Sequence, residues 1–529
     1  AVEDAKFAHT PDGQWDENAI EKRQDRPRYT INRVAGAIDQ LVGDRRQTET
    51  GIKVRPVGNG ADIELAEIYN GLIRNIETQS KAENAYDTAY DEVVTGGYGG
   101  WRIKTADNGD DPFVQDILFH PIPSAATSLF FGHAESYDKR DAKFAFFMST
   151  MPIADYEAKY PDDSTISFDQ ETLSRSLNNS WYVNGGVRIA EYWKKVPIKR
   201  NVGLMSDASV LDLDDEKEVL DELLKQGVSI QEQKEIDDHK VVMYLMNGTK
   251  ILFEKEWAGK YIPLIPAFGK VTKIEGREYV RGLVRNAKDP NRIYNYTVSS
   301  EIETTALTPK DPYWITAEQA KGHEAQLRTF NTRNQPFMLY NADAASPGAP
   351  QRTGAPSVQT AMINQRQNAA LDIYATTGIE PASLGNSPEL KSGKAIIAQQ
   401  KMGDRGSFVY ADNLNKSIEY TGDILVDLIP RIMDTDRVVR ILRLDGTSEE
   451  VKIRAVQKGL AKFNRTIKDE QTNKTEIVHD LTRGSYGVTV TTGPLQSSQR
   501  QESAQQLIDL TASNPAFAAI ATDLIAKNL

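Results

Sequence analysis

The stretch PASLGNSPELKSGKA (381–395) contains the clearest candidate for chemistry in this sequence, a glycine-rich segment ending in Gly393-Lys394. Loops that hold the phosphates of nucleoside triphosphates have the pattern G-x-x-x-x-G-K followed by Ser or Thr, whose hydroxyl binds magnesium. Here Pro388 replaces the first glycine and Ala395 replaces the hydroxyl residue. The preceding segment is also predicted to be a helix, whereas a phosphate-binding loop follows a strand. An ATPase is therefore excluded on this pattern.

Metal ligands do not cluster along the chain. No two of the six histidines lie within a few residues of each other, and there is no cysteine. The acidic stretch 211–216 lacks the central glycine and distal glutamate of a calcium loop, and it is better explained as a helix start stabilised by the helix dipole. No metal or cofactor is expected, and we expect a protein that is not an enzyme. A metal-dependent nuclease that collects scattered carboxylates in one cleft is the alternative.

The bulk composition limits the class of protein. The 529 residues predict about three or four structural units. Lys and Arg number 63 and Asp and Glu 75, a net charge of −12. A protein that grips DNA tightly is usually basic, so this balance argues against a repressor-like binder but not against a surface that DNA slides past. No apolar run reaches the ~18–20 residues of a membrane span, and no secretion signal opens the chain.

Apolar periodicity and turn residues predict an α+β organisation. In the first half, Asn247-Gly248 favours the type I′ turn of a hairpin. The predicted elements there are a loose arm (1–27), helices from 28 and over 61–94 and 211–227, a glycine-rich break at 95–103, and strands over most of 103–260, including 187–196 and the hairpin 241–257.

The centre of the chain is predicted to form two polar helices around a small module. Asp289-Pro290 is a favourable helix start, and the helix should end before Pro309. A Pro-, Gly- and Ala-rich module and a second helix, from Ser357 to about Thr377, follow. Beyond them we expect a helix over 392–434 of ~60 Å, a hairpin at 438–453, a strand at 486–494 and two closing helices.

The central helices have narrow apolar stripes, which suits poorly the core of a monomer. The first shows only Tyr294, Val298, Ile302 and Ala306 at helical spacing, among Asn, Ser, Thr and Glu. Such helices can pack side by side in a ring of sister copies, with one polar face on a wet channel. Ordinary surface helices of a globular fold would have the same pattern.

Several long stretches of the chain resemble the portal proteins of short-tailed bacteriophages. The match runs over residues 28–500 in the expected order, which makes it specific for the family. It is carried by YTINRVAGAIDQLVGDRRQTETGIKVRPVG (29–58), SKAENAYDTAYDEVVTGGYGGWRI (80–103), YDKRDAKFAFFMSTMPIADYEAKYP (137–161) and REYVRGLVRNAKDPNRIYNYTVSSEIE (277–303).

The resemblance implies a phage portal fold, assembled as a ring of twelve subunits at one capsid vertex of the virion. Double-stranded DNA would be packaged and ejected through its channel. The implied regions are an N-terminal arm (1–27), a wing (28–286 and 396–494), two stem helices (287–308 and 357–380), a clip (309–356), a tunnel loop (381–395) and the start of a crown (495–529). A different head–tail adaptor or tail protein of the same virion is the nearer alternative.

The resemblance also implies partners and site residues. The partners would be the terminase large subunit, the tail adaptor, the major capsid protein and the scaffolding protein, with assembly in the host cytoplasm and no membrane. Lys391 and Lys394 would lie on the tunnel loop and form a ring of positive charge, although two solvated lysines of no consequence would have the same sequence. The stem residues expected to line the channel are Glu301, Glu303, Arg366 and Asp372, and this mainly acidic surface should repel phosphate.

Overall fold

The computed structural model describes most of the chain. The described residues are 1–58, 61–107, 115–161, 182–183, 186–206, 210–213, 217–225, 227–248, 250–307, 313–330, 332–352, 360–379, 393–433, 437–442, 448–453, 465–468, 475–478, 481 and 484–494. They mix helices and strands, so the α+β class is confirmed.

The helices include two short elements near the N-terminus and one element of 40 residues. They are α1 (Val2–His9), α2 (Glu17–Lys22), α3 (Ala35–Arg46), α4 (Ile63–Ser80), α5 (Ala82–Gly96), α6 (Ala125–Ser128), α7 (Ile153–Lys159), α8 (Lys217–Lys225), α9 (Val284–Leu307), α10 (Ala317–Ala320), α11 (Glu324–Thr329), α12 (Thr360–Thr377) and α13 (Gly393–Ile432), with a 3-10 turn at Asp12–Gln14.

The strands belong mostly to antiparallel ladders. They are β1 (Thr48–Pro56), β2 (Tyr98–Asp107), β3 (Gln115–Pro121), β4 (Leu129–Phe131), β5 (Phe144–Pro152), β6 (Tyr182–Val183), β7 (Gly186–Met205), β8 (Val210–Asp212), β9 (Ile230–Met246), β10 (Ile251–Glu256), β11 (Leu264–Phe268), β12 (Lys270–Ile274), β13 (Arg277–Arg281), β14 (Tyr313–Trp314), β15 (Gln351–Arg352), β16 (Arg437–Leu442), β17 (Ser448–Ile453), β18 (Arg465–Lys468), β19 (Thr475–Val478) and β20 (Tyr486–Pro494).

The chain divides into two compact units rather than the three or four expected from its length. The first contains the described residues of Ala1–Ala5, Ile38–Leu283 and Lys401–Leu529, and the second those of Lys6–Ala37 and Val284–Gln400. Chain length overestimates the number of compact units because segments far apart in sequence share one core. For example, β1 pairs with β20 along its whole length.

The first unit is built on a seven-stranded sheet of order β10-β9-β7-β5-β4, with β6 and β8 paired to β7. The predicted strand at 187–196 and the predicted hairpin at 241–257 are confirmed as parts of β7 and of β9–β10. Gly248 has φ +87°, the left-handed conformation expected of that turn. The predicted hairpin at 438–453 and the strand at 486–494 are also present.

From Tyr410 onward, the 40-residue helix α13 packs into the core of the first unit through a polar as well as an apolar side. Its buried side chains Asn413 and Ser417 donate hydrogen bonds to the carbonyls of Gly269 and Pro266, both at 2.8 Å. One helical turn further, Thr421 Oγ1 accepts from the indole Nε1 of Trp101 at 3.1 Å. Residues four apart lie on one face of a helix, so this polar face is fully satisfied inside the fold.

Five predictions about local structure were wrong. The helix predicted from residue 28 begins only at Ala35. The span 61–94 is two helices, because Lys81 adopts a left-handed conformation (φ 51°) between them. The helix at 211–227 begins only at Lys217, after β8. Residues 1–27 are not a loose arm but carry α1 and α2. The first central helix begins at Val284 rather than at Asp289, and Pro290 lies inside it.

Burial explains the early start of α9. Val284 and Ala287 are completely buried, so packing stabilises a helical turn before the Asp-Pro pair that resembles a start signal. The residues on either side of Lys81 keep the same apolar periodicity, and periodicity alone therefore did not reveal the break. The two closing helices predicted for the C-terminus lie outside the described residues.

Candidate functional site in the paired central helices

The two central helices belong to the second unit and pack against each other. The two helices bury few apolar side chains, as their narrow apolar stripes predicted. Val298 on α9 and Ala369 and Ile373 on α12 are buried, whereas Ile293 and Leu371 remain 46% and 62% exposed. The helix pair therefore needs more than its own apolar residues to be stable.

A polar ladder (Asn291, Asn295 and Ser299) runs along α9 and is completely buried. Its side-chain oxygens accept hydrogen bonds from the backbone N–H groups of Arg33, Ile31 and Tyr29, at 3.0, 2.9 and 3.0 Å. These donors lie on an extended stretch of the N-terminal segment (Lys6–Ala37), which belongs to the same unit. The polar face that was expected to need sister copies or a wet channel is thus covered by this chain itself.

Two further side chains of the N-terminal segment fix it to α9. Gln14, which is 1% exposed, accepts from the amide nitrogens of both Asn291 and Asn295. Its own amide group donates to the carbonyl of Phe7, so both ends of the Gln14 amide are used. Buried amides of this kind must be paired to be tolerated, and here one glutamine satisfies two asparagines.

Arg23 is the charged contact between the segment and the helix. It is 3% exposed, and its guanidinium donates to the Ser300 hydroxyl and to Glu303 Oε2 at 3.3 Å. It also lies over the ring of Tyr296, 4.4 Å from the centroid. Arg26 contacts the other oxygen of Glu303 at 3.5 Å but is 62% exposed. The Glu303 carboxylate therefore faces two arginines.

The structure places the predicted stem residues as follows. Glu301 accepts from Arg366 at 3.0 Å, which links α9 to α12 through a half-buried ion pair. Glu303 is paired with Arg23 and Arg26 of the N-terminal segment, and Asp372 is exposed on α12. Two of the three carboxylates expected to repel phosphate thus have cationic partners. Their position on a channel stays a prediction.

The two predicted loop lysines cannot be compared with the structure in the same way. Lys391 lies outside the described residues. Lys394 falls within the first turn of α13, and its backbone alone is described. Their proposed contact with DNA stays a prediction.

Gln14 and Arg23 were not predicted as functional residues, because the N-terminal segment shows no clear periodicity. The only available signal was on the helix: polar residues at 291, 295 and 299 share one face of α9, and a buried polar face requires a partner. The partner could not be identified, since the ladder binds backbone N–H groups, which every residue except proline has.

The module between the central helices is small and held mainly by polar contacts. Thr316 and Gln319 form a capping box at α10, and the Gln319 amide donates to the carbonyls of Ser346 and Gly348. The Thr316 hydroxyl also donates to Asp343 at 2.7 Å, and this hydrogen bond lowers the pKa of the Asp343 carboxyl. Large apolar side chains stay exposed nearby: Trp314, Phe337, Leu339 and Tyr340.

The described part of the chain contains no group of three or more His, Asp or Glu residues placed to hold a metal ion. None of its helices has the length and apolar character needed to cross a membrane.

A cavity of about 170 Å³ in the first unit is lined by Trp193, Trp257, Lys104 and Glu191 among others.

Comparison with known proteins gives one consistent result. A family model described as phage P22-like portal protein matches residues 1–529. The portal protein of Acyrthosiphon pisum secondary endosymbiont phage 1 is 28% identical over 534 aligned residues, which cover 97% of this chain and 72% of that relative.

Proposed function

The chain belongs to the family of phage P22-like portal proteins, and from this premise we propose that it forms the ring through which double-stranded DNA enters and leaves a phage head. In this proposal twelve copies occupy one capsid vertex. The terminase motor docks during packaging, and a tail adaptor takes its place afterwards. The family is a structural component of the phage, in keeping with the expectation of a non-enzyme.

The observation that carries the proposal is the family match over the whole chain, including the helix–module–helix stretch. In the proposal, α9 and α12 form the stem, and the module between them is the clip. The exposed Trp314 and Phe337 of the module (73% and 66% exposed) support a role in contacts with other chains, because aromatic side chains are enriched at protein–protein interfaces.

Electron microscopy of the purified full chain tests the ring directly. Cyclic rings use heterologous interfaces that close on themselves, so we expect closed rings with a central opening. Rings of several subunit numbers would still support the proposal, because the capsid or the scaffold can set the number. A stable monomer at micromolar concentration, seen both in images and in light scattering, would contradict it.

The predicted contact of the tunnel loop with DNA needs a separate test. Replacing Lys391 and Lys394 by Ala removes two positive charges per subunit, and screened charges of this kind hold DNA weakly while allowing it to slide. We expect altered packaged genome length or poorer DNA retention in phage carrying the double variant. Lys416→Ala, an exposed lysine on α13 outside the loop, is the control. If the double variant and the control both package and retain DNA normally, the loop contact is refuted and the ring is not.

A further inference from the structure

The contact between the polar ladder and the N-terminal segment has a regular geometry. Donors two residues apart (29, 31 and 33) meet acceptors four residues apart (299, 295 and 291). Four residues of an α-helix rise ~6 Å, and two residues of an extended chain span ~6.6 Å. The two repeats match, so one extended peptide can satisfy every step of the ladder. The ladder is thus built as a site for an extended backbone.

Recognition by the ladder uses main-chain atoms. Besides the three N–H donors, the carbonyl of Ile31 accepts from the Asn291 amide at 3.3 Å. Tyr29 and Ile31 themselves are 45% and 39% exposed, so their side chains are not enclosed by the ladder. The identity of these side chains therefore contributes little to binding at the ladder.

We propose that the polar ladder is a peptide-binding site for an extended chain, filled here by residues 29–33 and able to take the same stretch from a second copy. The anchors Gln14 and Arg23 lie on the same short stretch of sequence, so a neighbouring copy offers the complete set of contacts. When the chain's own segment leaves, the three completely buried ladder groups lose their partners. Water then reaches these groups, and an extended segment from another copy can displace that water because it restores the same hydrogen bonds and the same burial.

The proposal concerns this ladder and not the DNA channel, so either can fail without the other. The test uses the full chain and removes one donor. Ile31→Pro deletes the N–H that bonds to Asn295 while keeping an extended backbone. Arg28→Pro is the matched control, because the N–H of Arg28 takes no part in the ladder.

Hydrogen exchange gives the first result. In the wild-type chain and in Arg28→Pro we expect the amides of Tyr29 and Arg33 to exchange slowly. In Ile31→Pro they should exchange at least about tenfold faster, since the ladder acts as one cooperative contact. Equal exchange in the two proline variants would overturn the proposal, because the ladder would then not be what holds the segment.

A labelled synthetic peptide of residues 10–36 tests whether the polar ladder can bind this segment when it comes from another molecule. We expect it to bind Ile31→Pro at least about tenfold more tightly than Arg28→Pro, because only the first has an open site. The same peptide carrying Ile31→Pro should not bind either chain. Equal binding of the peptide to both chains, equal binding of both peptides, or no binding to Ile31→Pro would each refute exchange between copies.

Discussion

Glu77 provides the sharpest quantitative prediction. It lies half-buried on α4 and accepts a hydrogen bond from the hydroxyl of Tyr86 on α5 at 2.8 Å. Removal from water raises the pKa of the Glu77 carboxyl from 4.5 to about 7, although the Tyr86 hydrogen bond and Arg74 both act to lower it. At neutral pH the folded protein thus holds a carboxyl that an unfolded chain would ionise freely.

The magnitude follows from linkage between protonation and folding. The folded pKa exceeds the unfolded one by about 2.5, and each pKa unit corresponds to ~1.4 kcal/mol, which gives a difference of about 3 kcal/mol as an upper value. The sign is set by the raised pKa: the folded state binds the proton more tightly. Stability therefore falls as pH rises from 4.5 to about 7, and the full loss is present above that pH.

Glu77→Gln removes the ionisation while keeping an acceptor for Tyr86. We expect the variant to be more stable than the wild type at pH 8, by about 1–3 kcal/mol, and nearly equal to it at pH 4.5. Thermal unfolding of both proteins across this range measures the difference. Glu67→Gln, which changes an exposed carboxylate elsewhere on α4, is the control and should give no such trend. If wild type and Glu77→Gln stay parallel from pH 4.5 to 8, the argument from burial is wrong.

Two further substitutions test the packing. Gly99→Ala would put a Cβ 2.3 Å from the carbonyl oxygen of Ala89, so we expect a markedly lower unfolding temperature, whereas Gly43→Ala on α3, with no atom within 4 Å, should stabilise by about 0.5–1 kcal/mol; similar effects at both sites would contradict this. Ser417→Ala leaves the carbonyl of Pro266 without its donor and should cost about 1–3 kcal/mol in denaturant unfolding, and a neutral result would show that another group replaces the hydroxyl.

Local features were predictable wherever neighbouring residues decide the conformation. The Asn247-Gly248 turn and the glycine break after α5 follow from the backbone freedom of glycine, and Gly97 does adopt φ +88°. The length of α13 was also predictable, because its apolar repeat continues through residues that are buried on one side. The failures lay where packing overrides a local signal, as at Val284 before the Asp289-Pro290 pair.

The candidate site was predicted only in part. The helix–module–helix order and the sparse apolar stripe of α9 were visible in the sequence, and the pairing of Glu301 with Arg366 could have been guessed from charge. The pairing of Glu303 with Arg23 joins residues 280 apart, and no local pattern indicates such a contact. This is also why an acidic stem surface seemed reasonable before the partners of its carboxylates were known.

The sequence by itself determined the α+β class, the membership in a portal family and the existence of two polar central helices, because these depend on residue types and their spacing. Only the tertiary structure decided what covers the polar face of α9. The ladder side chains bond to main-chain N–H groups about 260 to 270 residues away, and a main-chain donor is the same in almost every residue. The tertiary structure, and not the identity of the side chains, therefore decides which stretch of backbone binds to the ladder.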